Sequence, residues 1–308
     1  MKHNYKTRNR KAQLTGWRPP RSPKPIRWWR YIFFALLSLI VGTGAILTAR
    51  YIEYRSAGKE YASYQETMRL HAMLSPKDAP PVLEQAVPLE AAAVPLAAPL
   101  TTPPDTAAPA IAPTVPPFYS GMVAQLQNEN RDAVGWIDII HTGIQYPLMQ
   151  HSNNAYYMTR TFQKKTNASG AIFLDCWNAP GFTDFNTVIY GHNMSDGSMF
   201  AGLREYRHQA FFNAHPFIEI TLLTKKLRYR VFAAYVSRGM EDEDFRGQDA
   251  LTEEQRAAFI KAARKRSTEI ASNFTVSRHD RLLTLVTCTG GKHPWFWVVH
   301  AALVGEEG

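Results

Sequence analysis

Leu283-Thr284-Leu285-Val286-Thr287-Cys288-Thr289, followed by Trp297-Val298-Val299-His300-Ala301-Ala302-Leu303-Val304, is the pair of runs on which the fold assignment turns. Both are apolar, β-branched and of strand length, and Gly290-Gly291 breaks them apart. They therefore read as two strands with Cys288 at the exit of the first. A thiol in that seat has two readings. As a nucleophile, its backbone is held by sheet hydrogen bonds while its side chain reaches a groove; as a core residue, it is inert packing.

The same pattern recurs upstream. Val134-Gly135-Trp136-Ile137-Asp138-Ile139, Ile144-Gln145-Tyr146-Pro147-Leu148-Met149, Ala171-Ile172-Phe173-Leu174-Asp175 and Thr187-Val188-Ile189-Tyr190-Gly191-His192 are short strand-like runs separated by turn residues. Phe217-Ile218-Glu219-Ile220-Thr221-Leu222 and the run from Arg228 to Tyr235 continue the series. So many short strands predict a mainly β fold, a barrel or sandwich, in place of a parallel α/β sheet. Two helices are expected beside it. One covers residues 122–130, and the other starts at the capping box Thr252-Glu253-Glu254-Gln255 and runs through Ala271 with Phe259, Ile260, Ala263 and Ile270 as its buried stripe.

The first 117 residues have a different character. Residues 1–30 carry ten Lys or Arg and no acidic residue; without them the chain has 25 basic against 26 acidic residues. The net charge of +9 therefore belongs to the tail, and the high isoelectric point is no argument for nucleic acid. Residues 31–49 are uncharged and mostly apolar. At ~1.5 Å per residue they span about 28 Å as a helix, close to the hydrocarbon thickness of a bilayer. Trp28, Trp29 and Tyr51 flank this run where interfacial aromatics belong, and the basic tail predicts a cytoplasmic N-terminus with the rest outside. The run is longer, and its basic flank more extended, than a cleaved signal peptide requires.

Residues 50–75 are expected to extend the anchor as a helical stalk, and residues 76–117, rich in Pro and Ala, as an extended spacer of up to ~3.1 Å per residue. The folded unit is placed at residues 118–308, a normal single-domain size. With only Cys176 and Cys288 present, a disulfide scaffold and a Cys-based metal site are excluded, and no phosphate loop or metal-ligand cluster calls for a cofactor. A disulfide between the two, allowed outside the cell, would remove the nucleophile reading.

A Cys nucleophile needs a partner that favours the thiolate and later protonates a leaving amine, which His does near neutral pH. Among ten histidines, His192 ends an apolar strand, the same placement as Cys288; His300 lies inside a strand and reads as packing. Tyr190-Gly191-His192-Asn193-Met194, Phe173-Leu174-Asp175, Thr284-Leu285-Val286-Thr287-Cys288-Thr289 and the closing Val298-Val299-His300-Ala301 strand together resemble the sortases, membrane-anchored cysteine transpeptidases of Gram-positive cell surfaces. The helix ahead of the Cys strand is similar to class B.

The resemblance implies a closed sortase-type β-barrel and a mechanism. Cys288 attacks the carbonyl of a Thr in a sorting signal of a surface protein or pilin, His192 protonates the departing amine, and an amine of a peptidoglycan precursor or a pilin Lys resolves the acyl-enzyme. It further implies substrate contacts at Asn153, Asn154 and Thr287. Similar sequences place an Arg just before the closing Val-Val pair, where this chain has Phe296. Lys292 and His293 are the nearest cations and the expected oxyanion donors, with Arg238 and Arg246 as further candidates. A binding module that holds sorting signals without cleaving them, and a peptidase that hydrolyses its acyl-enzyme, stand as alternatives.

Overall fold

The computed structural model describes residues 28–74, 117–238, 251–290 and 295–308. The basic tail, the Pro/Ala-rich stretch, the acidic run Glu241 to Asp244, Arg246, Lys292 and His293 lie outside the described residues. Two compact units are distinguished, residues 1–50 and residues 51–308. In the first, the described part belongs to α1 (Trp28–Leu74), whose large apolar residues from Trp28 to Leu47 are solvent-exposed, and this helix is long and apolar enough to cross a membrane.

In the second unit, α2 (Pro117–Glu129) leads into eight strands: β1 (Ala133–Ile139), β2 (Gln145–Met149), β3 (Ile172–Leu174), β4 (Asn186–Tyr190), β5 (Phe217–Leu222), β6 (Lys226–Ser237), β7 (Leu282–Cys288) and β8 (Phe296–Glu307). They close into a barrel in the order β1-β2-β3-β4-β7-β8-β6-β5. Closure removes the free edges that an open sheet of this size would expose. Ile137, Leu148, Ile189, Ile220, Leu285 and Val299, all fully buried, fill the interior.

Pairings β2/β3 and β4/β7 are parallel, and each is reached through a long connection, as parallel neighbours require. The β4/β7 pair decides the site. Tyr190 stands opposite Val286, so both strands run the same way and leave the barrel side by side at one end. Antiparallel pairing would have put their exits at opposite ends.

Between β4 and β5 lie a short 3-10 helix (Ala201–Arg207) and α3 (Gln209–Ala214). Between β6 and β7, α4 (Glu253–Arg266) covers the outside of the barrel, packing Ile260 and Ala263 near Phe232, Tyr235, Val298 and Ala302. Its capping box is present as expected, with Thr252 and Gln255 exchanging hydrogen bonds. The helix ends earlier than residue 271 because Ser267 leaves helical geometry and accepts, through its hydroxyl, the Ala234 amide at 3.1 Å. Ile270 is buried nonetheless, in the main core and beyond the helix.

The C-terminal half of α1 packs on the barrel. Ala57 and Tyr61 are buried, the Tyr61 ring meets Tyr146 edge-on at 5.4 Å, and the Tyr64 ring meets Phe162 at 4.8 Å. The compact unit therefore begins at Tyr51. The Pro/Ala-rich stretch connects α1 and α2, two elements of one folded unit, where the sequence suggested a spacer between a stalk and a separate domain.

Candidate active site

Cys288 is the last residue of β7, exposed, and opposite Phe296 of β8 in the antiparallel register. Beyond it Gly290 turns the chain with φ +78°. His192 lies two residues past the end of β4, and its position depends on Gly191. A Cβ at Gly191 would lie 2.3 Å from Ile172 Cδ1 and 2.8 Å from the Phe200 ring, so only glycine lets the chain pass there. The Gly191 amide continues the β4/β7 ladder by donating to the Val286 carbonyl at 3.2 Å, and the His192 carbonyl accepts from the Phe200 amide at 2.9 Å. Two strand exits, held by backbone bonds on both sides, bring the imidazole and the thiol to one cavity, where each acts on the other's protonation.

The imidazole has a second anchor. Its Nε2 lies 2.7 Å from the Met158 carbonyl, which can only accept, so Nε2 donates there and the ring orientation is set. The electrostatics follow from these contacts. The hydrogen bond to His192 lowers the Cys288 thiol to about 7, with help from the backbone amides of Asn193 and Gly290 and against the opposing effect of burial. His192 is raised, chiefly by the same bond to Cys288 and then by the Met158 carbonyl, while burial pulls it down. The thiol is lowered and the imidazole raised, the directions that favour a thiolate beside an imidazolium.

A cavity of about 350 Å³ opens beside the pair. Met158, Phe173, Val286 and Phe296 make it mostly apolar. Its polar side is Asn154 and Tyr190, both fixed by the buried Asp175: the Asn154 amide donates to Asp175 Oδ2 at 3.0 Å and the Tyr190 hydroxyl at 2.9 Å. The Asn154 Oδ1 in turn accepts the Cys176 amide at 2.8 Å. A buried carboxylate that meets several donors is satisfied and rigid, so this wall is preformed.

Of the residues singled out from sequence, Cys288, His192, Asn154 and Thr287 line this one cavity. Thr287 brings a buried hydroxyl with no protein partner among the described residues. Asn153 does not line it: its side chain accepts the Ala155 and Tyr156 amides at 3.1 and 3.0 Å, closing a local turn. Arg238 does not line this cavity; its guanidinium is 5.8 Å from the Trp295 ring in a second pocket shared with Arg204, Arg207 and Thr289. Phe296, at the position where similar sequences have an Arg, stands opposite Cys288 in the β7/β8 register. No disulfide joins Cys176 and Cys288.

Residue type did not mark Met158, Phe173, Tyr190 or Asp175 as site residues. The last three sit in the strand motifs that carry the family resemblance, whereas a backbone carbonyl such as that of Met158 leaves no trace in residue type.

A family model described as the sortase domain matches residues 137–304, more than half the chain. The chain belongs to the sortase family. A sortase B of Listeria monocytogenes is 38% identical over 167 residues, which are 53% of this chain and 65% of the relative; a sortase B of Staphylococcus aureus is 31% identical over 163 residues, 53% and 66% respectively. The matched stretch thus spans just under two thirds of either relative. Among solved structures, a Staphylococcus aureus sortase B–substrate complex superposes with a TM-score of 0.56 at 29% identity, over 60% of this chain and 85% of that one. The likeness is to sortase B and includes the eight-stranded closed barrel.

Proposed function

We propose that this sortase is a cysteine transpeptidase of sorting-signal proteins, anchored by residues 31–49 with its N-terminus in the cytoplasm and its barrel outside. The observation that carries the reading is the meeting of Cys288 and His192 at two parallel strand exits, at the mouth of an apolar cavity.

The Cys288 thiolate attacks a peptide carbonyl of the signal, forming a C–S bond and a tetrahedral oxyanion. The protonated His192 gives its proton to the amine as the C–N bond breaks, leaving a thioester. An incoming amine then attacks the thioester, His192 takes its proton, and the new amide forms as the thiolate leaves. Acceptors of this class are a peptidoglycan-precursor amine or a pilin Lys. Asn154, held by Asp175, meets the backbone of an extended peptide in this reading, and the apolar wall takes its side chains.

The oxyanion needs donors. Among the described residues no Lys or Arg lines the cavity, and the backbone amides that act on the sulfur are those of Asn193 and Gly290. Phe296 beside Cys288 favours a second reading, a module that holds sorting signals without turning them over.

The test uses the whole chain in detergent, with a sorting-signal peptide library, with and without an amine acceptor. Acceptor-dependent ligation is the expected result. Cleavage indifferent to acceptor would make the protein a peptidase, and binding without turnover would leave the holding module.

A further inference from the structure

The peptide whose carbonyl holds His192 belongs to a hairpin that the juxtamembrane helix grips from outside. This hairpin leaves Met158, bridges Arg160 to Thr166, bonds the Thr161 amide to the Lys165 carbonyl at 2.9 Å and the Asn167 amide to the Thr159 carbonyl at 2.9 Å, and returns at Gly170. α1 holds it through three residues. The Glu53 carbonyl accepts from Asn167 Nδ2 at 2.6 Å, Glu60 Oε1 accepts the Gln163 amide at 3.0 Å, and Glu60 Oε2 accepts the Thr161 hydroxyl at 3.2 Å. The Tyr61 hydroxyl, buried at the seam, donates to the Gly170 carbonyl at 2.7 Å and accepts the Phe162 amide at 3.3 Å.

Gly170 is the point where this grip reaches the site. Its φ is +57°, and a Cβ there would lie 2.6 Å from the Tyr157 carbonyl oxygen and 2.8 Å from that of Met158. The next amide, Ala171, donates to the Tyr157 carbonyl at 2.9 Å. The backbone that Tyr61 holds is therefore in direct contact with the backbone that orients the imidazole, with no side chain between them.

We infer that Tyr61 is a positioning residue for His192: by holding Gly170 it keeps the Met158 carbonyl where Nε2 of His192 donates to it, so the juxtamembrane helix is a working part of the site. The consequence for turnover rests on the transpeptidase reading above. The consequence for Cys288 reactivity does not. Among the described residues, Cys288 is the titratable group that faces His192; Met158, Asn154, Phe173 and Phe296 around it carry no charge, and Tyr190 is committed to Asp175.

The experiment measures iodoacetamide modification of Cys288, followed by peptide mass, as a function of pH on the full chain in detergent. The unaltered protein should show a midpoint near 7. Tyr61→Phe should move it upward toward the ~8.5 of an ordinary thiol and lower kcat by about tenfold, with KM within about twofold, as a slightly misplaced catalytic group does. Tyr206→Phe is the control. It removes another buried hydroxyl bond, to the His215 carbonyl at 2.7 Å, outside the hairpin. It should lower the melting temperature comparably and leave the midpoint in place.

A midpoint unmoved in Tyr61→Phe, or moved equally in both variants, would make Tyr61 a merely structural residue and overturn the inference. A shift in Tyr61→Phe alone, in a protein that ligates no peptide, would uphold it while removing the transpeptidase reading. Should Tyr61→Phe not fold, Glu60→Gln, which weakens the grip and leaves the seam intact, carries the same test with a smaller upward shift, and no shift there counts against the inference.

Discussion

Two histidines meet β7 and β8, and the contrast between their surroundings explains why one end of this barrel is reactive and its middle is inert. His300 is fully buried within β8, with its ring against the Tyr235 hydroxyl at 2.9 Å and the Thr284 hydroxyl at 2.9 Å, and Thr284 donates onward to Asn186 at 2.7 Å. Burial, with Arg266 nearby as the lesser cause, pushes it down to about 3. It is a neutral packing group at any working pH. His192 has left its strand, meets a thiol further along β7 than Thr284, and is shifted in the opposite direction. The difference lies in where the strand ends. Within the sheet, neighbours on every side exclude water and forbid charge; at the exit, a charged partner and a carbonyl favour it.

The largest test of this contrast is loss of turnover. Cys288→Ala should abolish ligation and His192→Ala should lower kcat by roughly 10²–10⁴, the usual contribution of a positioned acid–base group. His300→Gln should leave kcat within a few-fold. Ligation surviving Cys288→Ala would rule out the thioester route.

Phe296→Arg comes next. It places a guanidinium opposite Cys288, and since an oxyanion donor is worth roughly 10²–10³ in rate, a gain of about tenfold or more is expected in single-turnover acylation if donors limit the present enzyme. No gain would mean that the Asn193 and Gly290 amides already suffice.

A smaller effect should appear in stability against acid. An unfolded His300 binds a proton below ~6.5, whereas the folded one stays neutral down to about 3, so the unfolded state holds more protons across that window. Stability contributed by His300 is complete above 6.5 and falls as pH drops, by at most about 1.4 kcal/mol per pH unit. Urea unfolding of His300→Gln should lose that part of the slope, at a cost near neutrality of about 1–3 kcal/mol for the disturbed hydroxyl contacts. A slope unchanged by the substitution would place the acid sensitivity elsewhere.

Thr287→Val is the mildest change. The buried hydroxyl has no protein partner among the described residues, so its removal should leave stability within about 0.5 kcal/mol. KM for a signal peptide should nevertheless rise several-fold if substrate completes that hydroxyl's bonding. Titration of the peptide against both forms decides it.

Much of this fold was legible because β-structure at a half-buried surface writes its period into residue type. The runs at Phe217 to Leu222 and Leu283 to Cys288 match strands nearly residue for residue. Thr252 and Gln255 announce the start of α4 because a cap is a local event. Pairings are different. Nothing near Tyr190 states that β4 lies parallel to β7, since the register is set by contacts between stretches far apart in the chain. Asn153 and Asn154 are equivalent in a sequence, yet one closes a turn and the other faces the cavity. The role of residues 53–64 was hidden for the same reason. A polar helix after an apolar run reads as a stalk until the surface that accepts Tyr61 and Glu60 is known.

Residue order alone establishes that a long apolar helix precedes a β-rich unit and that Cys288 and His192 end strands, because hydropathy, strand period and turn chemistry are local properties. Three-dimensional packing was needed to show that those two ends are neighbours, that Phe296 stands opposite Cys288, and that α1 grips the hairpin carrying the Met158 carbonyl. Each of these depends on which distant backbone groups pair, and no single stretch of chain carries that information.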